Sequence, residues 1–314
     1  MWPYGMFRRG AGVLAVCAML PGTVWAACVG LVPASSHPFW LQVEAGARQA
    51  AGDTGVDLYV RGPSREGQVE TQLQLIEKVI EHGCKILIIA PSGTEIGDRV
   101  HTLKAQGIQT FYIDRDVGGV DVQAVVATDN YRAGQDAGRY LAQQLGGQGR
   151  VGIIRMSPPI ASTSARQRGF LQAVKAAGLN VVFDHSMGEH PEPTFEALRQ
   201  KLPELDGIFT SNGVVTRATY AALLRLNATD KLVHMGFDTN QQLFDALEAG
   251  QISGLMIQQA YAMGYQSMRL AQRALAGERI EPQRRQVELE AILVTRDNLQ
   301  RSDIKALLAL PLRP

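Results

Sequence analysis

At least six times along this chain a short apolar run stops abruptly at polar or aromatic residues, and a helix-like stretch follows. Cys28-Val29-Gly30-Leu31-Val32 leads into Ser35-Ser36-His37-Pro38-Phe39-Trp40, and Ile86-Leu87-Ile88-Ile89 into Ala90-Pro91-Ser92-Gly93-Thr94. Phe111-Tyr112-Ile113 stops at Asp114-Arg115-Asp116, Gly207-Ile208-Phe209-Thr210 at Ser211-Asn212, and Val233-His234-Met235-Gly236 at Phe237-Asp238. Val151-Gly152-Ile153-Ile154 precedes the segment 162–168. Buried strands alternating with helices make a parallel sheet covered on both faces. In such sheets ligands bind outside the carboxyl ends of the strands. The chain thus keeps placing hydrogen-bonding and stacking groups where a small ligand would sit, which is the pattern of a binder.

A length of 314 residues exceeds the usual single core and predicts two domains. Apolar content of 46% and charge of 19% suit an ordinary globular protein, and a net charge of +1 with both signs scattered leaves no basic footprint for nucleic acid. The first residues follow another logic. Arg8-Arg9 precede an apolar stretch from Gly10 to Leu20, and Val24-Trp25-Ala26 precedes a cut expected at Ala26–Ala27 or one residue later. This is the pattern of a secretion signal over residues 1–26, with an apolar core too short to span a bilayer. Lipidation at Cys28 is disfavoured, because Trp25 stands where lipoprotein signals want leucine. No later segment reaches about 18 uninterrupted apolar residues, so the mature chain is expected free of the membrane.

Of the three cysteines, Cys17 leaves with the signal, Cys28 falls early in the first mature strand and Cys84 just ahead of the third. In a doubly wound sheet of order 2-1-3 those strands are neighbours. An oxidising compartment permits a bridge, but joining adjacent parallel strands demands unusual geometry, so two buried free thiols are expected. There is no C-x-x-C pair, and neither a metal nor a cofactor is expected.

Trp40, Val43, Ala47 and Ala51 recur at helical spacing, as do Val69, Leu73, Ile76 and Ile80. Val56 to Val60 and Ile86 to Ile89 read as strands, and Val125-Val126-Ala127 runs into Thr128-Asp129-Asn130, the first crossing between lobes. A second series opens with a helix from Ala133 to Leu145. Its strands lie near Val151–Ile154, Val181–Phe183, Gly207–Thr210, Leu232–Gly236 and Leu255–Ile257. A long helix from Gln259 to Ala276 returns to the first lobe, and Val287 to Val294 alternates as one late strand. The predicted fold is α/β: two Rossmann-like lobes with parallel sheets, joined by a three-segment hinge. One lobe takes 27–128 plus 259–287 and the other 129–258 plus 288–314. Hinged lobes can close on a ligand.

Several constellations fall at the strand ends. In His37-Pro38-Phe39-Trp40, Pro38 suits a first helical turn, and two adjacent aromatics cannot both enter one core from one helix. At least one ring therefore faces the cleft, where it could stack on the apolar face of a sugar. Asp114 and Arg115 pair a carboxylate with a guanidinium, the groups that grip vicinal hydroxyls, whereas Asp116 reads as solvated. Arg166 and Arg168 are two apart on a helix and face different ways, so at most one enters a cleft. Asn212, Asp238 and Gln258 each stand at or just beyond a strand. Each alone is a turn residue or cap; together they line successive strand ends.

With these residues in place, the chain resembles the periplasmic sugar-binding proteins of the ribose/galactose type, secreted relatives of the lac-repressor ligand-binding domain with the type I periplasmic binding protein fold. The likeness spans the mature chain. It rests on His-Pro-Phe-Trp at 37–40, Ile-Asp-Arg at 113–115, Thr-Asp-Asn at 128–130, Ser-Ala-Arg-Gln-Arg-Gly-Phe at 164–170, Gly-Phe-Asp at 236–238 and Leu-Val-Thr-Arg-Asp-Asn-Leu at 293–299. The resemblance implies that Phe39 and Trp40 stack on a ring, with Phe237 as a third apolar wall. It implies that Asp114 and Arg115 bind hydroxyls, that Arg168 rather than Arg166 is the second-lobe arginine, and that Asn212, Asp238 and Gln258 complete the contacts. Two positions depart from the ribose pattern: the asparagine before Pro-Phe is His37, and that after the third strand is Ala90. Losing both amides speaks against ribose and leaves open another polyol or a carbonyl-, carboxylate- or phosphate-bearing ligand.

The expected role is capture of a sugar or sugar-like solute in the periplasm by a monomer, for an ABC permease of the inner membrane. The rival is the same fold loading a membrane sensor kinase or chemoreceptor with autoinducer-2 or another non-sugar ligand. A lac-repressor-like transcription factor is disfavoured, because a secretion signal stands where a helix-turn-helix would. No Walker A loop, H-E-x-x-H or G-x-S-x-G occurs, and no catalytic residue is expected.

Overall fold

The computed structural model describes Met1 and residues 28–308. The secretion signal, its cut at Ala26–Ala27 and Cys17 lie outside the described residues. In chain order the elements begin with β1 (Cys28–Val32), α1 (Pro38–Gly52), β2 (Asp57–Val60), α2 (Val69–Glu81), β3 (Ile86–Ile89), α3 (Glu95–Ala105), β4 (Gln109–Ile113) and β5 (Val122–Thr128). They continue with α4 (Asn130–Gln144), β6 (Arg150–Met156), α5 (Ala161–Ala176), β7 (Asn180–Met187), α6 (Glu192–Lys201), β8 (Gly207–Thr210), α7 (Gly213–Arg225), β9 (Val233–Phe237), α8 (Gln241–Glu248) and β10 (Gly254–Ile257). The last are α9 (Ala260–Leu275), β11 (Gln286–Leu289), β12 (Ile292–Val294) and α10 (Ser302–Leu308).

The unbroken apolar runs β1, β3, β8 and β10 are buried at every residue, as strands covered by helices on both faces must be. They sit inside two six-stranded sheets, ordered β11-β5-β4-β3-β1-β2 and β12-β10-β9-β8-β6-β7. All pairings are parallel except β10 with β12. Helix α9 returns to the first sheet, where Met263, Met268 and Ala271 pack with Val29, Leu31 and Phe111. The chain passes between sheets after β5, after β10 and between β11 and β12. These connections are tied together: Thr128 Oγ1 donates to Gln258 Oε1 at 2.9 Å, and Gln259 Nε2 to the carbonyl of Glu290 at 2.9 Å.

Where one late strand over Val287–Val294 was expected, there are two, split at Glu290-Ala291 and paired with different sheets. The alternation that reads as continuous in sequence belongs to two short edge strands, and β11 extends two residues beyond the expected lobe boundary at 287.

Each lobe packs one helix pair backbone to backbone. A Cβ on Gly134 would stand 1.9 Å from the carbonyl oxygen of Arg166, and one on Gly169 2.0 Å from that of Tyr131, so only glycine lets α4 and α5 approach this closely. The same holds for α1 and α9, where a Cβ on Gly264 would lie 1.9 Å from the Val43 oxygen.

Cys28 and Cys84 are bridged, with Cα atoms 4.4 Å apart, which corrects the expectation of free thiols. The register pairs Val29 with Ile86, so Cys84 lies in the turn before β3 rather than in the ladder. It is therefore free of the strand geometry on which that expectation rested, and the separation falls within the disulfide range. The bridge closes a loop of 56 residues. Chain-entropy arguments value such a closure at about 4 kcal/mol. Reduction, or the double substitution Cys28→Ser/Cys84→Ser, should lower the stability read from urea unfolding by about that amount. The double variant should then be insensitive to reductant.

His234 is buried on β9, and burial lowers its pKa from 6.5 to about 3. The folded imidazole resists protonation, so the unfolded chain binds the extra proton below pH 6.5 and stability is lost as pH falls from there towards 3. This group alone should remove about 1.4 kcal/mol per pH unit in that window. Urea unfolding of the His234→Asn variant should have a correspondingly shallower acid limb, with no difference in slope above pH 7.

Candidate functional site

The carboxyl ends of both sheets face one another across a cavity of ≈ 310 Å³ between the lobes. His37, Phe39, Trp40, Asp114 and Arg115 line it from one side, and Asn212, Asp238 and Gln258 from the other.

Two carboxylates are aimed by the same local device. Asp114 directly follows β4 and Asp238 directly follows β9, and both adopt the left-handed backbone conformation, with φ of 65° and 60°. Each amide extends its sheet by one bond: Asp114 N donates to Val126 O at 2.8 Å and Asp238 N to Met256 O at 2.9 Å. Aspartate tolerates this region better than other non-glycine residues. The chain turns sharply there while the side chain stays at the strand end. Asp238 Oδ2 accepts from Gly213 N at 2.8 Å and Oδ1 from Gln258 Nε2 at 2.7 Å. Burial pushes the Asp114 carboxyl up from its ordinary pKa, against the opposing pull of Arg115 and Arg166.

Arg115 donates Nη2 to Glu66 at 2.5 Å and Nε to Asp114 at 3.3 Å. Burial works against its charge, but Glu66 and Asp114 outweigh it and hold its pKa above the ordinary value. Glu66 is the site residue that the sequence reading missed. It also accepts from Trp40 Nε1 at 2.9 Å and from Ser35 Oγ at 3.3 Å. It lies in the connection after β2, another strand end, and that position was the available signal. Trp40 is 3% exposed, meets Phe39 edge-on with ring centroids 4.9 Å apart, and packs partly into the first-lobe core. Of the aromatic pair, Phe39 is the more open.

The second-lobe arginine of the cavity is Arg166, which corrects the choice of Arg168. Arg166 is 2% exposed and Arg168 is exposed. Phe170, Ala173 and Val174 form the buried stripe of α5, and stepping back four residues from Phe170 reaches Arg166, on the face closed by Gly134. Its Nε donates to Asn130 Oδ1 at 2.8 Å, Nη1 to Ser211 O at 3.0 Å and Nη2 to Gln258 Oε1 at 2.5 Å. Phe237 is not a cavity wall either. It is fully buried behind Arg166, whose guanidinium carbon lies 4.3 Å from its ring centroid. As the last residue of β9 it points opposite to Asp238, into the second-lobe core.

Asn212 caps α7, accepting from Val215 N at 2.9 Å, and is at once cap and cavity wall. His37 reaches the other lobe, where Arg217 Nη1 donates to its Nε2 at 3.0 Å. Burial, then Arg217, lowers the pKa of His37, which suits a neutral ring accepting that bond. Ala90 is buried and lies outside the cavity lining; its carbonyl accepts from Gln72 Nε2 at 2.8 Å. The cavity thus offers charged and amide groups from two lobes beside aromatic faces, an arrangement suited to a small hydroxylated ligand.

Removing the Arg166 side chain would leave the Gln258, Asn130 and Ser211 acceptors short of a donor. Arg166→Met is expected to lower stability by about 3 kcal/mol, and Arg168→Ala by less than about 0.5 kcal/mol, in urea unfolding without ligand. Equal effects would mean that the network carries no stability.

Comparison with known proteins places the chain among relatives. The model of a family described as periplasmic binding protein domain matches residues 29–279. The ribose import binding protein of Haemophilus influenzae is 28% identical over 254 residues, covering 78% of this chain and 84% of that protein. The D-allose-binding periplasmic protein of Escherichia coli is 25% identical over 276 residues, covering 83% and 89%. Among solved structures, the periplasmic component of an ABC-type sugar transport system from Hahella chejuensis superposes with a TM-score of 0.78 at 28% identity, covering 85% of this chain and 99% of that one. A carbohydrate transporter solute binding protein from Agrobacterium radiobacter, in complex with D-arabinose, superposes with a TM-score of 0.81 at 26% identity, covering 91% and 99%.

Proposed function

The chain belongs to the family of periplasmic binding proteins, and from that premise we propose that it captures a sugar or sugar-like solute between its lobes and hands it to an ABC permease of the inner membrane. The observation that carries this reading is the facing pair of strand-end carboxylates, Asp114 beside Arg115 and Asp238 beside the Gln258 amide, in a cavity that Arg166 also lines and that presents Phe39 and Trp40. Carboxylate and guanidinium groups together take vicinal hydroxyls as donors and acceptors, and an aromatic face takes the apolar side of a ring. A volume of ≈ 310 Å³ lies at the small end of small-molecule sites, which suits a single sugar ring.

In this reading Phe39 and Trp40 stack on the ring. Asp114 and Arg115 bind hydroxyls from the first lobe, and Arg166, Asn212, Asp238 and Gln258 from the second. A ligand bridging both sets stabilises the closed arrangement, the form that a permease would read. The role is binding, with energy supplied by ATP hydrolysis on other subunits. Residues 1–26 direct the chain through the inner membrane and are removed, leaving it in the periplasm.

The test is a thermal-shift screen of the mature protein, refolded to strip ligand, against pentoses, hexoses, polyols, sugar acids and autoinducer-2. A ligand at about 100 times its Kd adds about 2.7 kcal/mol, a clear shift. A sugar hit should vanish in Asp114→Ala and Arg166→Ala and survive in Arg168→Ala. Silence across the sugars and polyols, or a hit indifferent to the first two substitutions, would overturn the proposal.

A further inference from the structure

A second cavity, of ≈ 450 Å³, adjoins the first and shares four of its walls: Glu66, Arg115, Met156 and Ile160. Its other walls come from both lobes, with Pro91 and Val117 on one side and Pro158 and Pro159 on the other. The space is not a general gap between separated lobes, since His37 and Arg217 already touch across the cleft. Its first-lobe rim is held in place: the buried Gln72 side chain accepts from Ser92 N at 2.9 Å and donates to the Ala90 carbonyl at 2.8 Å. The two cavities also differ in character. Charged and amide side chains with two aromatics dominate the inner one, whereas prolines and aliphatic groups supply much of the outer one. Arg115 lines both, and with Nε and Nη2 engaged by Asp114 and Glu66, its Nη1 is left without a partner among the described residues.

Building on the sugar reading above, we propose that the ligand is a glycoside, with one sugar ring in the inner cavity and a second ring, joined through the glycosidic oxygen, in the outer one. Flat proline and aliphatic surfaces suit the weakly polar face of a second sugar or of an aromatic aglycone. Arg115 Nη1 is a donor available to the bridging oxygen or to a neighbouring hydroxyl.

The experiment is titration calorimetry of the mature chain with D-ribose, D-allose, D-arabinose, D-galactose and D-glucose, each as the free sugar and as both anomers of its 4-nitrophenyl glycoside, together with lactose, melibiose, maltose and cellobiose. At least one glycoside or disaccharide should bind about tenfold or more tighter than its parent sugar, the gain expected from burying a second ring. Ala161→Trp, at an exposed position that lines only the outer cavity, should erase that gain while leaving the free sugar within about twofold. Pro159→Trp, in the loop before α5, should do the same and serves if the first variant folds poorly. A free sugar that binds as tightly as, or more tightly than, each of its glycosides would overturn this inference and leave sugar capture standing, as would a gain that survives both tryptophans. Silence from free sugars and glycosides alike would overturn both.

Discussion

The site depends on one buried cation. Arg166 sits where α4, β8 and the end of β10 converge, and no carboxylate of the described residues contacts it; its three bonds go to an amide oxygen, a backbone carbonyl and a second amide oxygen. Burial depresses its pKa and the nearby charge of Arg115 adds to that, while the negative charges of Asp238 and Asp114 offset part of the effect from a distance. Such a group needs hydrogen-bond partners on its nitrogens, because an uncompensated buried charge costs several kcal/mol. Meeting those donors fixes the neighbours. Gln258 has its oxygen on Arg166 and Thr128, so its nitrogen is turned towards Asp238, whose other oxygen holds the first amide of α7. One guanidinium therefore sets the orientation of the second-lobe polar groups and ties them to a connection between the lobes.

The close contact of α4 with α5 makes this possible. Gly134 lies against the backbone of Arg166 itself, and a methyl group there would push α5 away from α4 and take the guanidinium out of reach of Asn130. The first lobe reaches a comparable result by other means. Its arginine is paired with carboxylates, and Glu66 organises Arg115, Trp40 and Ser35 as Gln258 organises the other side. The two halves share the device of an aspartate turning out of a strand in the left-handed conformation, while their supporting networks differ in charge. That asymmetry lets one face of a ligand meet an ionic surface and the other a more neutral, amide-rich one.

Much of this was legible in the residues, because strand ends in a parallel sheet are marked by the abrupt stop of an apolar run. The positions of Asp114, Arg115, Asn212, Asp238 and Gln258 follow from that rule alone, and the order 2-1-3 of the first strands follows from the doubly wound fold class. What the rule could not decide was direction around a helix or across a strand. Arg166 and Arg168 are equivalent until the buried stripe of Phe170, Ala173 and Val174 is extended back along α5. Phe237 was expected as a wall from the family resemblance, and strand alternation sends it the other way from Asp238. Glu66 escaped notice because β2 is half exposed and its following loop carries no apolar stop. The disulfide was missed for a related reason, since a turn residue beside a ladder is not bound by ladder geometry.

Closure follows from the balance of what is already paired. Outside the segments that connect the lobes, the side-chain hydrogen bond between them among the described residues is the one from Arg217 to His37. A single half-exposed bond of this kind is worth about 1 kcal/mol, whereas moving a two-state equilibrium from mostly open to mostly closed takes about 5.5 kcal/mol. That bond alone is too small to drive such a shift. A molecule that touched Arg115 and Asp114 on one side and Asp238, Asn212 and Arg166 on the other would add to that bond. Because most of those groups are oriented by protein partners beforehand, little ordering cost remains at binding, and more of the contact energy is left to close the hinge.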